Sequence, residues 1–273
     1  PGNLDEKYPV PAPTNNQYVC FNFKNPFVDG QQATAWAPII DDERVIHHLI
    51  LYGTTEEVAE GSVGSCPHGG SVLTTQIGGW APGGTNTVLD ADVGLALDYP
   101  YLSLQIHYNN ELYPDGADAS GVAFCTTPTP RRHTAGIATL GNVTFTIPMG
   151  ARSYPVVGNC SRLSTDGQTI TLLDTWPHMH LLGSGFRTEH LRPGATLPHL
   201  SDIPIGTWKF EAQRHYPQRP RAEVRSGDVL KTTCWFDNTR PSAVGFGEDT
   251  EDEMCFNFVL AYPRASLNRL CAL

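Results

Sequence analysis

A chain of 273 residues is long enough to bury one large core or two modest ones. Its net charge of −10 argues against nucleic acid as a partner, because phosphate binding needs a basic face. No apolar run approaches the roughly 18 residues that a membrane-spanning helix requires, and no signal-peptide pattern opens the chain, which reads as a mature or trimmed form.

The 26 glycines and 22 prolines are spread along the whole length, which suits many short strands joined by turns. In chain order, residues 17–23 (QYVCFNF) and 45–52 (VIHHLILY) are apolar and partly β-branched or aromatic, and they read as strands. The stretch 42–52 comes nearest to a helix, but its continuous apolar run favours a buried strand. Residues 78–85 (GGWAPGGT) are turn-rich. In 101–107 (YLSLQIH), Leu102, Leu104 and Ile106 alternate with Ser103, Gln105 and His107, as on a strand with two distinct faces. A second turn-rich stretch, 111–120, precedes the polar, Pro-rich 126–134 (TTPTPRRHT), which reads as a linker. Beyond it, 169–176, 228–236 and 254–262 are further strand candidates. The expected fold is therefore all-β, with two antiparallel β-sandwiches over residues 1–130 and 131–273.

Seven cysteines lie far apart without CxxC spacing, so a structural zinc site is disfavoured. Wide separation suits disulfides between distant strands and an oxidising compartment, extracellular or periplasmic. An odd cysteine is left unpaired or joins another chain.

The histidines carry the chemistry. His178 and His180 flank Met179, and residues two apart on a strand share a face, so both imidazoles reach one metal. His47 and His48 are adjacent and point to opposite faces unless the strand is bulged there. Pro177, just before the HxH, implies an edge or bulge. His107 ends an alternating strand. An imidazole on an apolar strand needs a partner, yet spacing alone leaves a cupin-like zinc or iron site open beside copper. A copper-binding protein without catalysis is a further alternative.

The strings His47-His48-Leu-Ile-Leu-Tyr-Gly53, Gln105-Ile-His107-Tyr108, His178-Met-His180-Leu and Asp252-Glu-Met254-Cys255, in this order, resemble the copper type II, ascorbate-dependent monooxygenases. That family includes peptide-amidating and dopamine-hydroxylating enzymes. The resemblance spans most of the chain, from about Tyr18 to Cys271. It implies jelly-roll-like sandwiches with a cleft between them, and two copper ions. One, for electron transfer, is held by His47, His48 and His107 in the first domain. The other, which binds oxygen beside the substrate, is held by His178, His180 and Met254 in the second. A thioether is soft and favours Cu(I), whereas zinc gains little from it. The implied reaction hydroxylates a small-molecule C–H bond with O2 and ascorbate as the one-electron donor. The resemblance also implies the pairs Cys20–Cys66, Cys160–Cys271 and Cys234–Cys255, leaves Cys125 as a buried free thiol, and places Tyr18 near the first copper.

Substrate identity does not carry over. The amidating enzymes hold a peptide carboxylate with an arginine two residues before the HxH and a tyrosine four after the methionine; here Trp176 and Phe258 stand at those positions. Indole cannot replace a guanidinium in a salt bridge. Trp176 and Phe258 are therefore expected to line an apolar or aromatic pocket, with Asn257 as a polar substrate contact. Oligomeric state is not legible.

Overall fold

The computed structural model describes residues 6–27, 30–66 and 76–272. Strands supply nearly all of its regular structure; the helical segments among the described residues are two single 3-10 turns, Phe210–Ala212 and Arg264–Ser266. The chain separates after Ala135 into two compact units.

In the first unit, one antiparallel sheet runs Val63–Ser65, Thr14–Lys24, Tyr101–Asn110, Ile46–Thr54, Gln76–Trp80 in spatial order. The strands expected near 17–23, 45–52 and 101–107 are its three central members. The apolar run at 42–52 turns at Asp42, where the Val45 and Ile46 amides bond its carbonyl, and then extends as strand rather than helix. Tyr101–Asn110 is buried on both faces: Leu102, Leu104 and Ile106 on one side, Gln105 and His107 on the other. A central strand with that burial must satisfy its polar side chains internally.

The second sheet of this unit pairs Gly121–Thr127 with Gln32–Ile39, which is flanked by Thr87–Val88 and Val93–Ala96; residues 133–135 run parallel to the last. Buried Trp36 reaches across to Gly78 of the first sheet, so the two sheets pack face to face. Residues 128–132 connect strands that end at Thr127 and begin at His133.

The second unit is also a sandwich. One sheet runs Ala222–Val224, Ile170–His178, Cys255–Tyr262 and residues 136–142, with Leu270–Ala272 parallel to the last. The other runs Tyr154–Cys160, Val229–Phe236, Gly183–Leu191, Ser201–Ile203. Leu140, Leu172 and Val259 of the first meet Cys160, Leu230 and Leu200 around the second in a buried core. The sheets approach closely at Gly141 and Gly158, where a side chain on Gly158 would collide with the Gly141 carbonyl.

Three disulfides are present, Cys20–Cys66, Cys160–Cys271 and Cys234–Cys255. The last two each tie one sheet of the second unit to the other. Such bonds fit an oxidising compartment. The expectation of a buried Cys125 is corrected: this free cysteine is exposed. Strand alternation turns Phe124 toward Phe27, which leaves Cys125 on the outward face. No described helix is long and apolar enough to cross a membrane.

Candidate metal centres

The first cluster depends on a bulge. Ile46 pairs with Tyr108 and His48 pairs with His107, so His47 is the extra residue on its strand. An extra residue breaks strict alternation, and His47 and His48 turn to the same side, with their Nδ1 atoms 3.0 Å apart. His107, opposite His48, completes the group: one ring nitrogen from each of the three lies within 4.8 Å of the others, and all three residues are buried.

A second irregularity supports the cluster. The register between Thr14–Lys24 and Tyr101–Asn110 shifts between Thr14 and Gln17, and Asn16 takes φ of 49° there. Its amide Oδ1 lies 3.2 Å from His107 Nε2. Tyr18, paired directly with His107 across the ladder, stacks on it with ring centroids 4.1 Å apart and 11° between planes. Tyr18 thus stands at the first cluster.

The second cluster forms where a strand ends. Ile170–His178 stops at His178, so His180 lies two residues beyond its end and not on a regular strand. The two rings are nevertheless 5.3 Å apart. His180 is fixed on two sides: its amide donates to Glu253 Oε2 at 2.9 Å, and its Nδ1 lies 3.0 Å from the Asp252 carbonyl. Glu253 Oε1 also accepts the Leu182 amide at 2.6 Å. The turn after the HxH is thereby fastened to the residue that precedes Met254. Met254 is buried and lies two residues before Phe256, which pairs with His178. Met179 is also buried and packs in the sandwich core with Phe186 and Phe236.

The electrostatics suit metal binding. Burial pulls His178 down to about 4, against a raising contact from Gln213 Oε1 2.6 Å from its Nδ1, so the ring is neutral at physiological pH. Neutral imidazole is the form that ligates a metal. Burial pushes Glu253 up to about 8 despite the backbone amides it accepts.

The remaining candidates separate by face. Trp176 lies opposite Phe258 and His178 opposite Phe256, so these four share the outer face of their sheet. Asn257 does not. The expectation that it contacts substrate is corrected: it is fully buried on the inner face, where its Nδ2 donates to Thr188 Oγ1 at 2.9 Å and Ser201 Oγ at 3.1 Å. Gln213, Glu253 and Asn16 contact the histidines and were not singled out from the sequence; only Glu253 had a signal, inside the Asp252–Cys255 string.

Family models for the copper type II ascorbate-dependent monooxygenases match over residues 4–113 for the N-terminal domain and 133–272 for the C-terminal domain. The chain belongs to that family. Relatives include human DBH-like monooxygenase protein 1, 30% identical over 96% of this chain and 47% of the relative. Tyramine beta-hydroxylase of Caenorhabditis briggsae is 29% identical over 97% of this chain and 48% of its own length. Bovine dopamine beta-hydroxylase is 26% identical over 98% and 50%. The chain thus spans about half the length of these relatives.

Proposed function

We propose that this chain hydroxylates a substrate C–H bond with O2, using two copper ions and a one-electron reductant such as ascorbate. The observation that carries the reading is the bulge at His47, which gathers two adjacent imidazoles and a third from the neighbouring strand into one buried set. Three imidazole donors without a carboxylate suit copper in both oxidation states. His178, His180 and Met254 would together form the softer set that favours Cu(I). When bound, copper supplies the oxygen chemistry and the electrons that no side chain provides.

The protein's own part is placement. Asn16 and Tyr18 orient His107, Gln213 orients His178, and Glu253 and the Asp252 carbonyl orient His180. Contacts of this type around a ligand set its direction and basicity. The substrate is a small molecule not anchored by a carboxylate, because Trp176 and Phe258 occupy the outer face beside His178. The disulfides and the family favour secretion.

The test combines metal content with ascorbate-dependent oxygen uptake. The wild-type chain is expected to bind two coppers and to consume oxygen only when a hydroxylatable substrate is present. His107→Ala should lose copper from the first set and Met254→Ala from the second, each with loss of turnover. Copper loading and turnover untouched in both variants would refute the assignments. Full copper loading with no oxygen uptake on any amine, alkylbenzene or acylglycine would make the chain a copper-binding protein instead.

A further inference from the structure

The outer face that presents His178 continues along its strand. Asp174, Trp176 and His178 are two residues apart in turn and project together. Trp176 and Phe258, directly opposed, are both half-buried, and the His178 and Phe258 rings lie 6.0 Å apart. On the other side of this strand, residues 213–218 lie alongside it. Tyr216 and Thr175 exchange backbone hydrogen bonds of 2.8 and 3.3 Å, and the Gln218 amide bonds the Leu173 carbonyl at 2.8 Å. That pairing sets Gln213 against His178 and His215 against Trp176.

His215 stands between opposite demands. Its Nδ1 accepts from the Trp176 indole N–H, and the same nitrogen lies 3.3 Å from Asp174 Oδ2. Indole is a donor only and a carboxylate an acceptor only, so one ring nitrogen serves them one at a time. The imidazole also meets the indole edge-on, with centroids 5.0 Å apart at 86°. The orientation of Trp176 therefore depends on a specific polar partner and not on packing alone. An anion arriving beside Trp176 meets the Asp174 carboxylate, while a flat uncharged group meets indole and phenyl surface.

We propose that His215 is a positioning residue for substrate selection. It holds the Trp176 indole upright beside His178, so that Trp176 and Phe258 form two walls of a site for an aromatic or similarly flat apolar group without a carboxylate. The inference rests on the monooxygenase reading and deepens it. His215 acts through Trp176 and does not itself touch the reacting atoms.

The test uses ethylbenzene and 4-ethylbenzoate as matched probes on the copper-loaded chain, with ascorbate-dependent turnover as the readout. Ethylbenzene should be turned over at a KM at least about tenfold below that of 4-ethylbenzoate. His215→Phe should raise the ethylbenzene KM by about five- to tenfold, the value of one lost hydrogen bond, with kcat within twofold and copper content unchanged. His215→Asn should restore KM, because its amide oxygen accepts from indole while its NH2 donates to Asp174. In a Trp176→Phe background, His215→Phe should change KM no further. An unaltered KM in His215→Phe, an equal rise with and without Trp176, or a preference for 4-ethylbenzoate would overturn the proposal. If His215→Phe does not fold, the wild-type indole N–H resonance, assigned by its loss in Trp176→Phe, decides: downfield displacement supports the bond to His215, and an ordinary position overturns it. Probe binding to the copper-free chain, read by tryptophan quenching, separates the two levels. The same coupling in binding without turnover of any probe would sink the monooxygenase reading and leave the role of His215 standing.

Discussion

Opening the Cys234–Cys255 bridge should loosen the second metal set while sparing the first. Cys255 directly follows Met254, and Cys234 lies on the facing sheet, so the bond anchors the residue next to the thioether to the opposite side of the sandwich. Its closure spans a sequence separation of 21, for which the chain-entropy model gives roughly 3 kcal/mol. For a unit of this size that is a fall in Tm on the order of 10 °C. Cys160–Cys271 spans 111 residues, and the same model gives nearly 5 kcal/mol, roughly 1.5 kcal/mol more. The two bonds therefore make opposite orderings. Replacing both cysteines of the longer pair by alanine should cost more stability; replacing Cys234 and Cys255 should cost more copper affinity at the second set. Thermal unfolding and Cu(I) competition titration on both variants read the contrast. Equal copper affinity in the two variants, or a smaller stability loss for the longer pair, would refute the reasoning.

Further outcomes follow from charge and burial. Asp228 is buried, and burial pushes its carboxyl up, but bonds from Arg192, the Arg225 amide and His190 hold it net below the usual carboxylate range. A depressed folded value means that its contribution to stability is complete above about pH 4 and is lost as pH falls toward the folded value. Acid titration of unfolding should show this slope, and Asp228→Asn should remove it and cost about 3 kcal/mol at neutral pH. In residues 1–135 acidic side chains outnumber lysine and arginine three to one, while 136–273 are balanced. Reduction of the first copper by the ascorbate anion should therefore speed up as salt rises from about 10 to 150 mM; stopped-flow rates independent of salt would contradict this. Tyr18→Leu removes the ring stacked on His107 and should weaken copper at the first set by about tenfold, measured by the same competition titration.

Much of this was legible in the chain because strands announce themselves locally. The apolar runs around Cys20 and His48 and the alternation around Ile106 are local signals, and each became a central strand. The condition for His47 and His48 to act together, a bulge, was also readable, although its presence was not: a bulge is a relation between two strands, fixed by where Tyr108 and His107 pair. Partners brought in from afar were hidden for the same reason. Gln213 reaches His178 across 35 residues and Asn16 reaches His107 across 91, with no periodic signal at either. Asn257 was named as a substrate contact, whereas its surroundings are set by Thr188 and Ser201 on the facing sheet. Cys125 failed similarly: left over from the three pairs, it was expected to be buried, while the pairing of its strand with Gln32–Ile39 turned it outward.

The most direct measurement is copper X-ray absorption on the fully loaded, ascorbate-reduced chain and on Met254→Leu. Two sets, one of three imidazoles and one of two imidazoles with a thioether, predict a sulfur shell averaging half an atom per copper in the wild type and none in the variant. A wild-type spectrum without sulfur, or a sulfur shell that survives in Met254→Leu, would contradict the account.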